Sequence, residues 1–75
     1  MSINSEEQAI ETLRQWSEKS PRIQLGLLRE AIEGLELNQM YYEQKGNDKG
    51  AARTEAILAL LRRRLDELTQ GIPGA

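Results

Sequence analysis

Apolar residues recur along this chain in steps of three and four, the spacing that stacks side chains on one stripe of a helix. Toward the C-terminus the stripe is Ala51, Thr54, Leu58, Leu61, Leu65, Leu68 and Ile72, and it is single. The segment before it carries two. Leu25, Leu28, Ile32, Leu35, Gln39 and Tyr42 form one; Ile23, Leu27, Glu30, Gly34, Leu37 and Tyr41 form another on a largely different face. A helix with two apolar stripes needs two neighbours, so residues 21–45 are expected at the centre of a helical assembly. Near the N-terminus Ala9, Ile10, Leu13 and Trp16 make one narrow stripe, backed by Glu11, Arg14 and Glu18. That helix can lie on a neighbour but cannot be buried all round.

The residues between these stripes punctuate them. Asn4 or Ser5 can cap a first helix, with Glu7 or Gln8 completing a capping box and Glu6 and Glu7 placed at the positive helix end. This helix is predicted over about 5–19. Ser20 followed by Pro21 starts the second, because serine accepts from a free amide and proline at the first helical position forfeits no hydrogen bond. It is predicted over about 21–45, continuous through Gly34. Gly46 to Gly50 stops it: Gly46 can take the left-handed conformation that ends a helix, and Asn47 or Asp48 can cap the next. The third helix is predicted over about 51–70, with Gly71 and Pro73 closing it and residues 71–75 as a tail.

The predicted fold class is therefore all-α: two long antiparallel helices in a hairpin, plus a shorter N-terminal helix, in one domain. Its inner seam sets Leu25, Leu28, Ile32, Leu35 and Tyr42 against Leu58, Leu61, Leu65 and Leu68. The second stripe of the central helix is left for the first helix or for a second chain. At 75 residues the chain is near the lower end of what one apolar core stabilises, which favours the second chain and a dimeric bundle.

Composition removes many functions. The chain has no cysteine and no histidine, which excludes a disulfide framework, thiolate or imidazole metal sites, a serine–histidine triad and a cysteine nucleophile. No cofactor is implied. Ten basic residues against twelve acidic ones leave a net charge of -2, too balanced to draw the chain to nucleic acid or to an anionic membrane. Met1 to Gln8 is polar and acidic, so no secretory signal is expected, and no apolar run is long enough to span a bilayer. The expected location is the cytoplasm.

Three motifs could suggest chemistry. Glu30, Glu33 and Glu36 follow one another along the central helix without the histidine that helical carboxylate metal sites add, and are expected to form a solvated face. Gly46 to Gly50 lacks both the alternating oxygen ligands of an EF-hand and the Gly-Lys-Ser/Thr ending of a P-loop, and is expected to be a connector. Arg62, Arg63 and Arg64 point in three directions, about 100° apart, so they cannot form one phosphate-binding stripe. Pairs of Arg62 with Asp66 and of Arg63 with Asp66 or Glu67 are expected instead. Arg53 and Arg64 share a side with Leu60, a small mixed basic and apolar patch.

The candidate site is a partner interface centred on Leu37, Met40 and Tyr41 and extended by Ile23, Leu27 and Trp16. Tyrosine and methionine suit interfaces because they combine large contact area with a polar tip or an adaptable shape. The competing expectation is that the first helix covers this cluster with Trp16.

Some resemblances attach to short stretches. Leu35, Tyr42 and Ala51 in a helix–turn–helix resemble one tetratricopeptide unit, without the second copy on which such a unit stacks. Leu60 to Leu68 is similar to helices of all-α chorismate mutases and of short sporulation phosphatases, without the Ser-Gln pair that precedes Leu-Asp in the latter. In size and hairpin plan the chain is similar to small secretion co-chaperones, with no shared motif. None of these defines a family. The expected function is a noncatalytic interaction module, an adaptor, regulator or chaperone subunit acting as a homodimer on another protein. The alternative is a small all-α enzyme or phosphatase regulator using Arg and Glu from facing helices. Charged residues on the inner seam would favour the enzyme, and a dry leucine-rich seam the module.

Overall fold

A computed structural model of the chain describes residues 3–71. It is all-helical: α1 spans Glu6–Trp16, α2 spans Pro21–Gln44 and α3 spans Asp48–Gly71. The whole is elongated, with principal extents of 42 × 23 × 16 Å. Residues α2 and α3 form the hairpin, and α1 packs mainly on α3.

The helix ends follow from local hydrogen bonding. The Ser5 hydroxyl accepts from the Gln8 amide at 3.1 Å, while the Gln8 side chain accepts from the Asn4 amide at 2.7 Å, a capping box displaced by one residue on its return arm. α1 ends at Trp16, three residues short of the predicted Lys19, as the Ser17 hydroxyl donates to the Arg14 carbonyl at 2.5 Å. Ser20 caps α2 with Pro21 in the first turn, and α2 runs unbroken through Gly26 and Gly34. Its C-terminus is a Schellman motif: the Asn47 amide donates to the Tyr42 carbonyl at 2.8 Å and the Gly46 amide to the Glu43 carbonyl at 3.1 Å. The motif requires a left-handed residue, and Gly46 has φ +73°.

The third helix begins at Asp48, not at residue 51, because the Asn47 side chain accepts from the Gly50 amide at 2.9 Å and caps it early. Gly50 thus lies inside α3 rather than in the connector. It is buried under the Tyr42 ring, and a Cβ there would meet three ring carbons at 2.7–2.9 Å. The missing side chain lets the two helices close tightly beside their turn.

The inner seam forms as the periodicity predicts. Leu28, Ile32 and Leu35 of α2 are buried against Leu58 and Leu61 of α3, while Leu25, Tyr42, Leu65 and Leu68 are half-buried at the edges. Ile72, predicted to extend the seam, lies outside the described residues.

The apolar stripes leave open which neighbour α1 takes. Within the chain, α3 and not α2 is the helix with two neighbours. Ile57 is fully buried at 1 % exposure and Leu60 is half-buried three residues on, marking a second apolar face on α3 that no predicted seam contained. On α1 the buried residues are Ala9 and Thr12, with Leu13 and Trp16 half-buried, whereas Ile10 is 57 % exposed. A small residue at Ala9, with no exposed surface, allows close approach of α1.

Candidate protein-interaction surface

With α1 resting on α3, the outer face of α2 has no cover of comparable extent. Ile23 is 54 % exposed, Leu37 66 %, Met40 56 % and Tyr41 57 %, all on this one helix. Leu27 and Trp16 are half-buried. The six predicted interface residues therefore divide. Leu37, Met40 and Tyr41 lie toward the C-terminal end of α2, and Ile23 toward its start, with their apolar surface open. Leu27 and Trp16 both line a groove of about 440 Å³. Ile3 and Trp16 form one wall of this groove, and Leu27, Ala31, Gly34 and Asn38 the other. Its width beside Gly34 follows from the missing side chain, for nothing lies within 4 Å of where a Cβ would be.

Trp16 is not part of a cover for Leu37, Met40 and Tyr41, which corrects the competing sequence expectation. The Tyr41 ring instead meets the edge of Tyr42 at 6.3 Å between centroids, and the Lys45 ammonium sits 5.6 Å from its centre. These contacts hold Tyr41 in place while leaving most of it exposed.

The charged residues act elsewhere. Arg62 reaches across the hairpin to Glu36 at 2.9 Å and lies 3.8 Å from Glu55, which also accepts from the Gln39 side chain at 2.6 Å. Arg64 donates to Gln24 at 3.2 Å and pairs with Glu67 at 3.7 Å. The predicted pairs of Arg62 with Asp66 and of Arg63 with Asp66 or Glu67 are not among those formed by the described residues; Arg62 is taken by Glu36 across the hairpin and by Glu55 on its own helix. Arg64 is drawn to α2 by Gln24, so the mixed patch expected with Arg53 and Leu60 is in part used up in packing. Arg62 and Arg64 are helix-to-helix ties, while Arg63 is exposed.

Because the Arg62 pairs are half-exposed, each should contribute no more than about 1 kcal/mol. Replacing Arg62 and Arg63 together by Gln should lower stability by about 1 kcal/mol or less and leave the helix content unchanged. Thermal denaturation followed by circular dichroism at low and high salt checks this; a loss of several kcal/mol would mean that the ties carry the hairpin.

Gln24 was not singled out by the sequence. It lies on the α2 flank at 4 % exposure, donating to the Lys19 carbonyl at 2.7 Å and accepting from Arg64. It fastens the connector between α1 and α2 to α3. A polar residue in that position has no signal in a hydrophobic pattern; its value lies in satisfying a carbonyl that the turn leaves free.

Among the described residues, no three acidic side chains converge on a point where a metal ion could sit, and no buried side-chain nitrogen or oxygen lacks a hydrogen-bond partner. No described helix is long and apolar enough to cross a membrane. No protein-family model, curated protein or solved structure matches the chain.

Proposed function

We propose that this chain is a noncatalytic protein–protein interaction module, an adaptor, regulator or chaperone subunit, and that it docks other protein through the outer face of α2. The observation that carries the reading is the run of Ile23, Leu37, Met40 and Tyr41, each more than half exposed along one helix while the core of the same molecule is small. Large side chains left open toward both ends of one helix favour a helical or grooved protein partner. The inner seam supports the module over the alternative enzyme, since Leu28, Ile32, Leu35, Leu58 and Leu61 fill it and the Arg62, Glu36 and Glu55 charges lie at its solvent edge.

A photo-crosslinking residue placed at Leu37 in the full chain, expressed in its native source, tests the surface. Covalent capture of protein at Leu37, with none at the exposed Arg63 on α3, is the expected result. Equal capture at both positions, or at neither, would remove the outer face of α2 as a docking surface.

A further inference from the structure

We infer that the outer face of α2 receives an amphipathic helix of another protein whose contact row reads apolar, basic, apolar at steps of seven residues, with the basic side chain entering the groove beside Gly34 to meet Glu30. The inference rests on the reading of that face as a docking surface and names the chemistry of what docks there.

The face is laid out in two rows. Ile23, Glu30 and Leu37 follow one another at seven-residue steps, and so do Leu27, Gly34 and Tyr41. Helices lying along one another make contact at that interval, because seven residues are close to two full turns. At 1.5 Å per residue the outer positions of each row stand roughly 21 Å apart, a distance one partner helix of ordinary length covers. Both rows are apolar at their ends and not at their middle, where one has a carboxylate and the other a glycine. Nothing lies within 4 Å of where a Cβ of Gly34 would be, so the middle of the face is a gap with a negative charge at its edge.

Charge complementarity selects what fills that gap. Among the described residues that line the groove Glu30 alone is charged, and it is exposed and makes no ion pair with any described residue. Glu33, three residues on, is also exposed and forms no such pair, whereas Glu36 is turned to α3 and holds Arg62. Trp16, Leu27 and Leu35 supply apolar walls for the methylenes of a lysine or arginine, and Glu30 supplies the counter-charge for its head. Asn38, one turn beyond Gly34, adds a side-chain carbonyl that can accept a further N–H. A wholly apolar partner would strip water from the Glu30 carboxylate without replacing it, and an acidic one would repel it. A second copy offering the same two rows brings a further Glu30 to the contact and no cation in either row to meet it.

Capped peptides of about 25 residues, long enough to be helical, test the chemistry on the full chain. Each carries leucine, a central residue and leucine at seven-residue steps on an alanine and glutamine background, and binding is followed by fluorescence anisotropy. The peptide with arginine at the centre should bind, the glutamine peptide roughly two- to tenfold more weakly, and the glutamate peptide more weakly still. Glu30→Lys should invert that order, and Gly34→Leu should weaken every peptide by filling the gap. Both variants should keep their helix content, since Glu30 has no ion pair to lose and no atom stands near a Gly34 Cβ.

Equal affinity for the arginine and glutamine peptides, an order that Glu30→Lys fails to invert, or no binding of any peptide overturns the inference. The segment captured at Leu37 gives a second reading: it should carry lysine or arginine seven residues from an apolar residue. A captured segment with no basic residue in that row, or a second copy of this chain, would overturn the inference while leaving the docking surface standing; no capture at Leu37 would remove both.

Discussion

Leu61→Ala should lower the unfolding free energy by about 2–5 kcal/mol, the range for removing a leucine side chain from a core that relaxes only in part. Leu61 has no exposed surface and lies among Leu28, Ile32, Leu35 and Leu58, so both apolar transfer and cavity contribute. A chain of this length is expected to have roughly 4–11 kcal/mol of stability in all. The substitution should thus consume a large fraction of it and lower the melting temperature by about 10 °C or more. Thermal and urea denaturation by circular dichroism, at one fixed protein concentration so that any association is held constant, measure the loss. An unchanged melting temperature would remove Leu61 from the seam and with it the hairpin.

A comparable loss, about 2–5 kcal/mol, is expected for Ile57→Ala, with a different distribution along the chain. Ile57 is as buried as Leu61 but belongs to the second apolar face of α3, and α3 is the helix on which α1 rests. Trimming it should loosen α1 before the hairpin. Native-state hydrogen exchange would then show the amides of residues 6–16 losing protection while those at the centres of α2 and α3 retain theirs. A uniform loss of protection over all three helices would mean that Ile57 supports the hairpin directly and that α1 is not held separately. A stability change within about 0.5 kcal/mol would place Ile57 on the surface.

The contrast between these two residues marks the border between what the pattern of residues discloses and what it does not. Leu61 lies on a stripe that recurs with helical spacing, and a stripe is visible in one dimension. Ile57 lies three residues after Thr54 and four before Leu61, beside the stripe position Leu58, and the stripe drawn from the periodicity runs through Leu58 and leaves Ile57 out. Its burial shows only when a second helix lies on it.

The candidate surface divides in the same way. Tyr41, Leu37 and Ile23 were legible as a surplus stripe because α2 has more apolar positions than the hairpin uses. Whether α1 covers that surplus was not legible. The stripe on α1 states that the helix needs a neighbour but does not choose between α2 and α3; Ala9, whose small side chain permits close approach, and the hold of Gln24 on the Lys19 carbonyl belong to a three-dimensional choice.

By itself the sequence determined the all-helical class, a cap at Asn4 or Ser5, the cap at Ser20, the left-handed stop at Gly46 and the leucine seam of the hairpin, because each depends on residues within about one turn of one another or on a repeat along one helix. Only the tertiary structure decided that α1 lies on α3, that Ile57 and Gln24 are core, that Gly50 is the contact point of Tyr42 and that the outer face of α2 remains open. Those outcomes depend on volumes and hydrogen-bond partners meeting across distant parts of the chain, and an apolar stripe specifies that a neighbour is needed without specifying which one.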